Sequence, residues 1–216
     1  MNRNDFALAV YEVVSRLWPE AGTELAHGSC FQLLVSVILS AQCTDEQVNK
    51  VTPQLFLRYP DAGSMMNAPI LSIESIIRST GFYHTKAANI KAASRMLVSL
   101  YNDRVPDSIE ELIKLPGVGR KTANLVVSMC YGKPGLVVDT HVKRISNRLG
   151  LSSSDDPNII ERHLGESIAE QYWTRFSFAL NRHGKFVCKA RKPLCRVCDL
   201  AGLCPSATVF LSQMDA

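Results

Sequence analysis

At 216 residues, 46% of them hydrophobic, the chain holds enough apolar material for one large domain or two small ones. Its net charge of +4 is too small by itself to argue for a nucleic-acid partner. The longest apolar run, Phe31 to Leu39, contains Gln32 and Ser36 and is too short for a bilayer, while Met1 to Tyr11 carries Asp5 and lacks a signal-peptide pattern. Seven cysteines without a secretion signal argue against a disulfide scaffold and predict a soluble, cytoplasmic protein.

The hydrophobic periodicity is helical almost throughout. Asp5 to Leu17 lines up Phe6, Val10, Val13, Val14 and Leu17 on one face and ends at Pro19. Phe31 to Ser40 is apolar on most sides, as a central buried helix is. Thr44 with Gln47 reads as a capping box opening a helix towards Arg58. Ser72 to Ser79 is a short helix closed by Gly81, and Thr85 to Tyr101 is the longest. Asp107 and Glu110 open another short helix, interrupted at Leu115-Pro116-Gly117, before the helix Arg120 to Tyr131. After a Gly/Pro loop from Gly132 to Gly135, Asp139 caps a helix stopped by Gly150. Asp156-Pro157 then starts a helix to about Ala169, and Trp173 to Val187 leads into a cysteine-bearing loop. Only Leu136-Val137-Val138 is strand-like, and it is too short to build a sheet. The fold class is all-α.

Charge is distributed unevenly. Between Arg120 and Gly150, six cations (Arg120, Lys121, Lys133, Lys143, Arg144, Arg148) stand against Asp139 alone, and Arg182 to Arg196 adds six more without a carboxylate. Such patches are either solvated helix faces or the footprint of a polyanion. The segment Leu115-Pro116-Gly117-Val118-Gly119-Arg120-Lys121 sits between two helices. Its glycines permit positive φ and close backbone approach, and the amides at the following helix start can meet a phosphate oxygen. An ordinary tight turn fits the same residues, with Val118 plugging the core.

Four of the seven cysteines gather in one stretch, Cys188-x6-Cys195-x2-Cys198-x5-Cys204. Structural zinc sites usually pair two short knuckles, whereas only Cys195 and Cys198 form one here. The spacing fits an iron–sulfur cradle better than a zinc ribbon, and the count alone leaves both metals open.

Taken together, Leu115 to Asn124, Val138-Asp139-Thr140-His141 and the cysteine spacing resemble the endonuclease III family of DNA glycosylases, of the helix–hairpin–helix, Gly/Pro-Asp superfamily. Leu39-Ser40-Ala41-Gln42 with Thr44-Asp45, and Gly81-Phe82-Tyr83 with Lys86-Ala87, resemble further family segments in the same order, so the likeness covers nearly the whole chain. It implies the helix–hairpin–helix DNA glycosylase fold in two helical lobes. Residues 22–132 would be a six-helix lobe with the hairpin, and residues 1–21 plus 133–216 a second lobe with a [4Fe–4S] loop held by Cys188, Cys195, Cys198 and Cys204.

The same resemblance makes Lys121 the nucleophile and Asp139 its carboxylate partner. A lysine amine attacking C1′ displaces a damaged base and forms a Schiff base, from which the 3′ phosphate is eliminated. A carboxylate stabilises the positive charge developing at C1′. Gln42 would fill the void left by an extruded base and Phe82 would wedge between bases, in place of the family's more frequent leucine. Gly117, Gly119, Arg120, His141, Lys189, Arg191 and Lys192 become DNA contacts. The expectation is a monomeric, nucleoid-associated glycosylase/AP lyase for oxidised pyrimidines in duplex DNA. Alternatives are a monofunctional mismatch glycosylase acting on adenine, thymine or uracil, and a non-catalytic metal-bearing DNA-binding module.

Overall fold

The computed structural model describes residues 2–213; residue 1 and residues 214–216, which close the ends of the expected second lobe, lie outside them. Among the described residues all regular structure is helical. The chain divides into two compact units, Glu24–Lys133 and Met1–Thr23 with Pro134–Ala216.

The middle unit contains α2 (Cys30–Leu39), α3 (Asp45–Arg58), α4 (Ala62–Asn67), α5 (Ile70–Ile77), α6 (Tyr83–Tyr101), α7 (Ile109–Leu112) and α8 (Arg120–Tyr131). Helix α2 is the central helix that its composition predicts: Phe31 and every residue from Leu33 to Leu39 are buried. It packs on α3, α6 and α8, while α6 also covers α4 and α5. Thr44 caps α3 by accepting from the Gln47 amide at 3.2 Å. The expected reciprocal half of the box does not form, because the Gln47 side chain donates instead to Ser79 Oγ at 2.7 Å. A longer-range partner has taken the amide group from the local one. The complete capping box lies at α4, between Asp61 and Ser64, a helix that the sequence reading does not contain.

The helix expected from Ser72 to Ser79 begins earlier, at Ile70, and ends in a 3₁₀ turn over Arg78–Thr80. Gly81 closes it with φ +69°. Helix α6 starts two residues before Thr85, with Phe82 as its N-cap in the left-handed region.

The other unit contains α1 (Arg3–Leu17), α9 (Thr140–Arg148), α10 (Pro157–Ser167), α11 (Trp173–Phe186) and α12 (Ala207–Ser212). Asn2 caps α1 by accepting from the Asp5 amide at 2.8 Å, which starts that helix before the expected Asp5. Asp156 and Pro157 open α10 as their order predicts. The core joins Val10 and Val14 of α1 to Val142 and Ile145 of α9, Ile160 and Leu164 of α10, and Phe176 and Leu180 of α11. Leu136 and Val138 belong to it too. The strand-like triplet is thus an extended connector whose apolar side chains anchor in a helical core.

Candidate functional site

In the middle unit the hairpin residues divide their tasks. Leu115 and Val118 are buried, so the turn is plugged into the core on one side. Gly117 has φ +79°, and a Cβ there would lie 3.0 Å from Asn89 Cβ, so this position is closed to other residues on both counts. Gly119 differs: its φ is −94°, and nothing lies within 4 Å of where its Cβ would stand. The expectation that both glycines supply positive φ holds only for Gly117. No backbone strain or neighbour requires glycine at 119, which leaves the open side of the loop accessible to another molecule. Gly119 is the N-cap of α8 and no side chain caps that helix. Arg120 and Lys121 are its first two residues, and Lys121 is exposed. A cation is disfavoured at this end of a helix dipole, so stability does not account for it.

Gln42 and Phe82 are both exposed and both adopt left-handed backbone, with φ 52° and 47°. For residues other than glycine that conformation costs about 1–2 kcal/mol. Phe82 is 65% exposed, which rules out a core role for the ring. Lys86 lies between the two loops. It is 4% exposed, and its Nζ donates to Leu39 O at 2.8 Å and to Thr80 O at 2.7 Å. Burial pushes its ammonium below the usual lysine value, and Cys43 nearby opposes that shift. Cys43 itself is half-buried.

In the other unit Asp139 caps α9. Its Oδ1 accepts from the His141 amide at 2.9 Å and the Val142 amide at 2.8 Å, and its Oδ2 accepts from Asn181 Nδ2 at 2.7 Å. Capping and the Asn181 bond together hold the carboxylate in one orientation. The ring of His141 sits with Nδ1 3.1 Å from Arg144 Nη2, so it packs along α9 rather than against the Asp139 carboxylate. Helices α9 and α11 pack together, and the close approach is at Gly184, where a Cβ would meet His141 Cβ at 2.8 Å.

Cys188, Cys195, Cys198 and Cys204 line a single cavity together with Ile145, Leu149, Leu194, Leu200 and Phe210. Among the described residues, no group of three or more His, Cys, Asp or Glu is drawn tightly enough to hold a single metal ion. The donor set is four soft thiols in an apolar wall, suited to iron–sulfur or zinc chemistry rather than to a hard cation. Burial pushes the thiols of Cys195, Cys198 and Cys204 up.

Two nitrogen groups reach the sulfurs. Arg148 Nη1 donates to Cys188 Sγ at 3.2 Å, and His183 Nε2 lies 3.4 Å from Cys198 Sγ. Arg148 also binds Lys189 O at 2.8 Å and Ala190 O at 2.7 Å, while Arg144 binds Cys188 O and Gly184 O. The helix that presents Asp139 therefore also clasps the cysteine loop. Lys189, Arg191 and Lys192 are exposed on that loop.

Sequence reasoning missed Asn181, Arg144, Arg148, His183 and Lys86 as parts of these arrangements. A small residue at Gly184 within Asn181-Arg182-His183-Gly184 was the available signal of a helix crossing. Nothing local distinguishes Lys86 from a surface cation.

Residues 35–170 match the family model of the HhH-GPD superfamily base excision DNA repair proteins. Endonuclease III of Synechocystis sp. is 50% identical over 202 residues, covering 93% of this chain and 92% of that protein. A solved non-covalent endonuclease III–DNA complex superposes with a TM-score of 0.91 at 39% identity over 100% of both chains. A trapped endonuclease III–DNA covalent intermediate does so at 0.92 and 40% identity, covering 98% of this chain and 99% of that one.

Proposed function

Since the chain belongs to the endonuclease III family of the HhH-GPD superfamily of base excision DNA repair proteins, we propose that it is a bifunctional DNA glycosylase and AP lyase. In this reading it releases oxidised pyrimidines from duplex DNA and cleaves the strand on the 3′ side by β-elimination. The observation that carries it is the covalent DNA intermediate of its relative, a species that requires a nucleophile on the protein. Lys121 is the exposed amine immediately behind the hairpin.

The Lys121 Nζ lone pair attacks C1′ and the base departs with the electrons of the glycosidic bond. Ring opening then gives a Schiff base. Loss of a C2′ proton breaks the C3′–O bond, and hydrolysis of the imine regenerates the amine. Asp139, aimed by its cap bonds and by Asn181, supplies negative charge as positive charge develops at C1′. The uncapped start of α8 and the open backbone at Gly119 receive a phosphate, with the turn at Gly117 shaping the loop and Arg120 beside it. Lys189, Arg191 and Lys192 bind phosphates on the strand, and His141, whose Nδ1 lies beside Arg144, is a further DNA contact. Gln42 fills the void of the extruded base and Phe82 wedges the stack.

Cys188, Cys195, Cys198 and Cys204 would hold a [4Fe–4S] cluster, which would fix the shape of the basic loop. The partner is double-stranded DNA carrying a damaged base or abasic site, and the protein acts as a monomer at the nucleoid.

Incubation with a thymine-glycol duplex and borohydride tests the reading. A covalent adduct that Lys121→Ala abolishes supports it. Base release without trapping indicates a monofunctional mismatch-type glycosylase, and binding without release a non-catalytic module. Absorption near ~400 nm with about four irons per chain identifies the cluster, and zinc alone would refute it.

A further inference from the structure

Among the described residues Lys86 is the lone lysine or arginine in the buried set, and the reaction above assigns it nothing. A buried ammonium is costly unless its donors are filled, and here two backbone carbonyls fill them. What the ammonium does is join two segments distant in sequence. One bond goes to Leu39 O, the last residue of α2, where the helix dipole favours a cation. The other goes to Thr80 O, at the end of the 3₁₀ turn. Leu39 lies three residues before Gln42, and Thr80 lies two before Phe82.

Each of those tips is exposed and each carries the left-handed, non-glycine backbone that only a well-braced loop retains. A second, solvent-exposed tie, Gln47 Nε2 to Ser79 Oγ at 2.7 Å, joins the same two stretches. Lys86 is itself on the first turn of α6, its amide bonded to Phe82 O at 3.0 Å. The same side chain thus braces the Phe82 tip from below and ties it across to the Gln42 tip.

We infer that Lys86 is a positioning residue that fixes the spacing between the Gln42 and Phe82 loops, so that both enter an opened base step as one rigid unit. This rests on the duplex-opening roles proposed for those two residues. Lys86 touches neither the reacting sugar nor the base. Its contribution falls on the opening of paired DNA and not on the chemistry that follows.

The test compares kcat/KM for thymine glycol in a fully paired duplex with kcat/KM for the same lesion inside an unpaired bubble, using the full chain with its metal site loaded. Lys86→Met should lower the paired-to-unpaired ratio about tenfold or more, while borohydride trapping on the bubble substrate stays near wild type. Gln47→Ala, at an exposed bond, should shift the ratio the same way by about threefold. Where Lys86→Met does not fold, the ratio for Gln47→Ala decides the matter by itself. Equal losses on both substrates, or an unchanged ratio, overturn the inference. A wild-type protein that releases base from neither substrate would instead sink the glycosylase reading, so the two failures are separable.

Discussion

Replacing Gly184 by alanine probes how closely α9 and α11 must approach for the Asp139 carboxylate to be held. An added Cβ would lie 2.8 Å from His141 Cβ, 3.1 Å from Ile145 Cδ1 and 3.3 Å from Arg144 Nη2, all on α9. Carbon atoms prefer roughly 3.5–4.0 Å, so α9 must retreat by about 1 Å. Overpacking of this kind costs about 1–3 kcal/mol. Removal of a glycine from the last turn of α11 returns at most about 0.5–1 kcal/mol. The net loss is on the order of 1–2 kcal/mol, or a fall in Tm of roughly 2–8 °C for a chain of this size. The chemical consequence is larger. Asp139 Oδ2 is bonded to Asn181 Nδ2 of α11 at 2.7 Å, and that bond does not survive a retreat of about 1 Å. Misplacement on that scale costs about a hundredfold in rate. Single-turnover base release together with thermal melting measures both parts. A melting shift with unchanged release would show that the interhelical bond does not orient the carboxylate, and no shift in either would refute the packing argument.

Gly119→Ala should leave Tm nearly unchanged, because no positive φ or neighbour opposes a Cβ there, while DNA affinity measured by fluorescence anisotropy falls about tenfold or more. Asp139→Asn keeps a good cap and should alter stability by less than about 0.5 kcal/mol, yet lower base release by about two orders of magnitude; release at the wild-type rate would discredit the catalytic role. Arg148→Met removes the bonds to Cys188 Sγ, Lys189 O and Ala190 O, so the ~400 nm absorbance of the loaded protein should bleach faster under chelator and its reduction potential should move negative. Asp61 is held below the ordinary carboxylate value by the Ser64 amide and hydroxyl. Its folded-state value is the lower one, so its stabilisation is complete above the unfolded value and disappears as pH falls through the folded one. Asp61→Ala should therefore cost about 1 kcal/mol at neutral pH and progressively less as the pH falls below about 4, read from urea melts at each pH.

Where the deciding interactions lie within a few residues, the sequence carried the answer. Asp139 before Thr140-His141-Val142 is a cap in sequence and in structure. Asp156-Pro157 opens its helix as written, and α2 is buried along nearly its whole length, as its composition requires. The hairpin, its buried Val118 and the grouping of four cysteines are equally local. Short elements escaped: α4 and α12 each have six residues, too few to show a helical period.

What no local pattern contains is which side chains meet across the fold. Gln47 looks like the partner of Thr44 and goes to Ser79, and Leu136-Val137-Val138 looks like a strand but joins a helical core. Lys86 stands in a segment that resembles the family, with no sign in the sequence that it is buried between the carbonyls of two loops. Asn181 reaches Asp139 across 42 residues, and Arg148 reaches Cys188 across 40. The sequence determined the longer helices, the caps at Thr44, Asp139 and Asp156 and the identities of the nucleophile, carboxylate and thiols proposed here, because backbone choice and chemical type are properties of a residue and its near neighbours. Only the tertiary structure decided which groups orient them. Burial and hydrogen-bond partnership depend on segments brought together by packing, and packing depends on how whole helix faces fit.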